Sequence, residues 1–163
     1  MNMVKSLCCL LLFVTIILGC AVFYSEQPLS EQLLSDLIIA EIDRHVDVDG
    51  GETQINIAEL TNFEWDKMVV FRDPVSQAQI SNAIGVDFTG NLNHRNGIIF
   101  VRNGEIVYEE MFPEPVSDPE PFYFFVRGEN SQPRLRVHTP ENAILTGRLL
   151  IRNDSNHYVV ISD

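Results

Sequence analysis

The chain has 163 residues, 23 of them Asp or Glu against 11 Lys or Arg, for a formal net charge of −12. That length suits one domain, and that charge argues against nucleic acid and anionic lipid as partners, since both would be repelled. All three cysteines, Cys8, Cys9 and Cys20, precede Ala21, so the rest of the chain can hold no internal disulfide, no thiolate nucleophile and no cysteine-ligated zinc.

Lys5 is the sole charge before an apolar run from Leu7 to Tyr24, 18 residues long. A short basic start, an apolar stretch and small residues near its end describe a bacterial export signal. Ile17-Leu18-Gly19-Cys20 resembles a lipobox, in which the signal is cut before the cysteine and the thiol carries lipid. The first reading is therefore a signal over residues 1–20 with Cys20 lipidated. The second is an uncut anchor helix reaching to about residue 24, within the ~17–25 residues that cross a bilayer. Either way residues 25–163 form a single exported domain, tethered to the membrane of the cell envelope on its periplasmic or extracellular side. No positive residue follows Lys5 until Arg44, which points the same way. The exported part carries all 23 acids and ten of the basic residues, a net charge of −13.

Ser25 to Val46 reads as an amphipathic helix. Leu29, Leu33, Leu34, Leu37, Ile38 and Ile42 share a face, with Ser30 or Pro28 at its start and Asp49-Gly50-Gly51 after its end. Gln54 to Leu60 fits a short strand. Phe63 to Arg72 fits a better one, with Phe63, Trp65, Val69 and Phe71 on one side and Glu64, Asp66 and Arg72 on the other. Ser76 should cap a short helix that Gly85 ends. Asn103-Gly104 predicts a tight hairpin between Gly97–Arg102 and Glu105–Phe112, because that turn needs positive φ at both central residues. The proline-rich stretch from Pro113 to Pro121 must be an extended loop, and Phe122–Arg127 returns as a strand. Arg134–His138 predicts a strand with Leu135 and Val137 inward, and Thr139-Pro140-Glu141 a single helical turn. A last hairpin is expected from Gly147–Arg152 and His157–Ile161 around Asp154-Ser155-Asn156. The fold class is α+β: a mostly antiparallel sheet of about five to seven strands, with one long and one short helix packed on one face.

Candidate chemistry is sparse. If Gly50 is set as the glycine of an EF-hand loop, His45 takes the place of the first oxygen ligand and Asn56 that of the bidentate glutamate. Asp47 and Asp49 remain as metal candidates against the better account of a solvated acidic turn. His45, His94, His138 and His157 show no ligand spacing, and no nucleophile elbow or phosphate loop occurs, so no cofactor is expected. Arg134, Arg136, Arg148 and Arg152 alternate with apolar residues. If their strands share a sheet, all four face outward together, as an anion site, as a patch that docks an acidic surface, or as an ordinary polar sheet face paired in part with the acidic half. Glu114, Asp118 and Glu120 of the proline-rich loop are the acidic counterpart, a surface for a basic protein.

The segment Phe63-Glu64-Trp65-Asp66, its apolar strand ending at Phe71, the proline turn, the short helix and the following hairpin resemble a loose group of small uncharacterised bacterial envelope lipoproteins. The likeness spans roughly Phe63 to Met111 and, more weakly, Thr139 to Ile151. Members of that group carry Pro-Tyr-Thr at the turn where this chain has Pro74-Val75-Ser76. The resemblance implies an envelope location and a fold, and no activity. The expectation is a non-enzymatic, membrane-tethered domain that binds a protein, as an immunity-type inhibitor or an envelope accessory subunit would. The alternatives are an envelope hydrolase with dispersed carboxylates and a purely structural lipoprotein.

Overall fold

A computed structural model describes residues 33–92, 95–113, 122–126 and 134–162. Helix α1 (Leu34–His45) comes first. Leu34, Ile38 and Ile42 recur at helical spacing and are buried, whereas Leu33, expected on the same face, is exposed. The start signals Ser25, Pro28 and Ser30 lie outside the described residues. Leu33 supplies no side-chain cap to the helix. Glu110, far along the chain, takes that role: its carboxylate accepts from Leu34 N at 2.9 Å and Ser35 N at 3.3 Å.

Strand β1 (Glu52–Asn56) gives way to a helical turn, α2 (Ile57–Leu60), where the sequence suggested continuous strand. The cause is local: the Asn56 side chain accepts from Ala58 N at 3.2 Å and caps the turn. Strand β2 (Lys67–Phe71) is shorter than the expected Phe63–Arg72. Its Met68, Val69, Val70 and Phe71 are all fully buried, because the strand is covered on both faces. The expected alternation changes accordingly. Phe63 and Trp65 join the cluster of Met68 and Val70, while Val69 and Phe71 pack on the opposite side of the strand.

Helix α3 (Gln77–Ile84) follows the expectation closely. Ser76 and Gln79 form a reciprocal capping box, and Gly85 ends the helix at φ +84°. Strands β3 (Arg95–Arg102) and β4 (Glu105–Pro113) form the hairpin announced by Asn103-Gly104, with φ of +50° and +79° at the turn. After β5 (Phe122–Val126) and β6 (Leu135–His138) come β7 (Ile144–Arg152) and β8 (Ser155–Ser162). The last turn falls on Asn153-Asp154, both at positive φ, one residue ahead of the expected position. In β6 Leu135 packs against the core as expected, but Val137 is exposed and His138 is buried in its stead.

The class is α+β, but the described strands number eight and form two four-stranded sheets rather than one sheet of five to seven. Their orders are β1-β7-β8-β5 and β4-β3-β2-β6. Every pairing is antiparallel except β5 with β8. The main core draws Ile55, Leu145 and Val160 from the first sheet, Met68, Ile98 and Phe100 from the second, and Ile38 and Ile42 from α1. A second cluster sits where Ile80 and Ile84 of α3 cover Val69, Phe71 and Ile99. The two helices therefore serve different cores instead of sharing one face. Gly147 in β7 makes room for α1, since a Cβ there would stand 2.6 Å from Ile42 Cγ1 and 2.5 Å from Ile55 Cδ1.

Candidate functional site

Residues 61–66 link α2 to β2 and alternate in facing. Phe63 meets Phe100 edge-on with ring centres 5.3 Å apart and stacks on Tyr108 at 5.4 Å. Trp65 meets Phe100 edge-on at 5.1 Å and is only 7% exposed. Its indole N–H donates to Thr61 Oγ1 at 2.9 Å, and that hydroxyl donates to Ile57 O at 3.2 Å. These contacts pin the segment at two aromatic points and leave Glu64 and Asp66 exposed between and after them. Asp66 is fixed in turn: its backbone N–H donates to Val101 O at 2.8 Å, and its carboxylate accepts from Asn103 N at 2.6 Å. Arg102, at the end of β3, forms an ion pair with Glu64.

The result is a cleft of about 360 Å3. Thr61, Phe63, Trp65 and Pro140 contribute to its walls, and Glu64, Asp66 and Arg102 bring charge to it. Its volume lies at the lower end of the range of small-ligand sites. Aromatic edges beside exposed carboxylates suit a group that is part apolar and part cationic.

A second cluster joins the two sheets. His138 Nε2 lies 2.9 Å from Ser162 Oγ, and its Nδ1 lies 3.3 Å from Asn142 O. A carbonyl only accepts, so Nδ1 carries the proton and the serine hydroxyl donates to Nε2. The connectivity is that of a serine–histidine relay, but Ser162 is fully buried and out of reach of a substrate. The pair works as a joint between β6 and β8. Burial depresses the His138 pKa below its ordinary 6.5; the Asn142 carbonyl opposes this and Arg136 adds to it. The unfolded chain therefore takes up this proton at higher pH than the folded one. Stability is intact above about pH 6.5 and declines as pH falls below it. The wild-type urea midpoint should drop between about pH 7 and about pH 5, and drop less in His138→Gln. Parallel pH profiles would show that His138 does not carry the effect. The window closes above the Glu141 range, where a hydrogen bond from the Thr139 side chain holds an exposed carboxyl below its ordinary 4.5.

The four arginines do not form one face. Arg136 lies in β6, at the edge of one sheet, with Arg134 just before it, and Arg148 and Arg152 lie in β7 of the other, so the shared sheet that the expectation required is absent. Arg134 donates to Asp73 O at 2.6 Å, Arg136 to Leu135 O at 3.2 Å, and Arg148 forms an ion pair with Glu52. Arg152 is exposed. Asp47 is exposed too, while Asp49 accepts from Ile151 N at 2.8 Å and fastens its turn to β7. Among the described residues no three His, Cys, Asp or Glu side chains gather as a metal site. Cys20, His94, Glu114, Asp118 and Glu120 lie outside the described residues. Among those described, no helix is long and apolar enough to cross a membrane.

Sequence reasoning missed Glu110, although its parity on β4 with Tyr108 and Phe112 places a carboxylate on the core side of the strand. It also missed the cleft, because Arg102 and Pro140 are remote in sequence from Trp65. Neither a protein-family model nor a curated protein nor a solved structure matches the chain.

Proposed function

We propose that the protein is an exported, membrane-tethered, non-enzymatic domain that binds a protein partner, as an immunity-type inhibitor or an envelope accessory subunit would. The leader ending in Ile17-Leu18-Gly19-Cys20 supports the tether. The observation that carries the binding role is the cleft beside Trp65, an aromatic recess with exposed carboxylates on a chain of net charge −12. Such a surface favours a basic partner and speeds its encounter.

Two measurements test the reading. Mass analysis of the mature protein from cells should find the chain beginning at an acylated Cys20, and Cys20→Ala should abolish both cleavage and acylation. Affinity capture from detergent-solubilised envelope should retain a defined protein whose binding weakens as salt rises. Full-length, unmodified protein in the cytosol would overturn the tether. Empty capture at both low and moderate salt would overturn the binding role.

A further inference from the structure

Resting on that protein-binding reading, we infer that the cleft beside Trp65 seats an arginine side chain presented by the partner. The first reason is that the protein already docks a guanidinium here. Arg102 pairs with Glu64 at the cleft, while both side chains stay accessible, at 43% and 75% exposure. A partner arginine can share or replace that contact. The second reason is the second carboxylate. Asp66 is held in place by the Asn103 N–H, and a carboxylate accepts more than one donor. The forked guanidinium is the cationic side chain best shaped to meet carboxylates through paired N–H groups.

The third reason is the wall. Phe63 is half-buried with one face on Tyr108, and Trp65 is nearly buried, so what the two rings offer is an apolar margin for the methylene stem of the side chain. About 360 Å3 is ample for one such side chain and its flanking backbone. Long-range charge agrees, since a chain at −12 draws a cation and repels an acid. Arg102 is thus a resident competitor, and its removal should strengthen binding rather than weaken it.

The chain has a single tryptophan, Trp65, so tryptophan emission, excited at wavelengths that the four tyrosines do not absorb, reports on the cleft. The full mature protein, held in non-ionic detergent, is titrated with the capped tripeptides Gly-Arg-Gly, Gly-Lys-Gly, Gly-Glu-Gly and Gly-Ala-Gly. The arginine peptide should give a saturable change in Trp65 emission, the lysine peptide a weaker one and the other two none. Glu64→Gln should weaken the arginine peptide about threefold and Arg102→Gln should tighten it by a similar factor. Both sites are exposed, so unchanged urea midpoints should confirm that the variants remain folded. The inference is overturned by an equal response to the alanine peptide, by no response to arginine, by a preference for the glutamate peptide, or by weakening in Arg102→Gln. Such a result leaves the binding reading standing if salt-sensitive capture of a partner persists. Empty capture beside a clear arginine response defeats that reading and spares the cleft.

Discussion

Glu110→Ala should lower the unfolding free energy by about 3 kcal/mol, read as a fall in urea midpoint with little change in slope. Glu110 is 8% exposed, and its carboxylate accepts from two backbone N–H groups, from the Ser35 hydroxyl and from the Tyr108 phenol at 2.6 Å. Alanine removes the acceptor of the Ser35 N–H, the Ser35 hydroxyl and the Tyr108 phenol, while Leu34 N keeps the phenol oxygen, and a buried donor without a partner costs ~1–3 kcal/mol. It also removes the negative charge that faces the positive end of α1. Glu110→Gln keeps one acceptor oxygen and should recover part of the loss. The Tyr108 phenol, which also accepts from Leu34 N at 2.9 Å, is pushed far above its ordinary pKa by burial and by the neighbouring carboxylate, so it stays a donor at any physiological pH. A loss below about 1 kcal/mol in Glu110→Ala would mean that water replaces the carboxylate and that the helix start is not dry.

Phe100→Ala should cost about 4 kcal/mol and shift Trp65 emission to the red. Phe100 is fully buried in β3 and touches three aromatic rings: Phe63, Trp65 and Tyr108. Its removal deletes apolar contact and leaves a hole that these large rings cannot close by small movements. The optical change distinguishes this site from core truncations remote from Trp65, because it loosens the support of the single tryptophan. Destabilisation without a change in emission would place the collapse elsewhere and detach the cleft from the Phe100 cluster.

The features legible in the sequence were those governed by neighbours along the chain. The Ser76 cap, the Gly85 stop and the Asn103-Gly104 turn all appear where their chemistry requires. So does the inward pair Phe63 and Trp65, although it lies in a loop rather than a strand. What failed depends on distant partners. The continuous burial of Met68 to Phe71 reflects covering from two sides, and no window of sequence says which sheet β6 or β7 will join. Asn56 overrode a strand pattern with one local hydrogen bond. The candidate site was half visible: Glu64, Trp65 and Asp66 stood out together, while Arg102 and Pro140 reach them only through the fold.

The register of the two sheets sets an order of assembly. The β3–β4 and β7–β8 hairpins close over short loops, whereas Glu52 must find Arg148, and Met68 must find His138, across most of the domain. Contacts so far apart in sequence are entropically expensive to nucleate, which places such topologies among slow folders, on the scale of milliseconds to seconds. The parallel register of β5 against β8 adds a further non-local closure. Wherever such pairings form after the hairpins, the open hairpin edges are the surfaces on which association between copies would compete with completion.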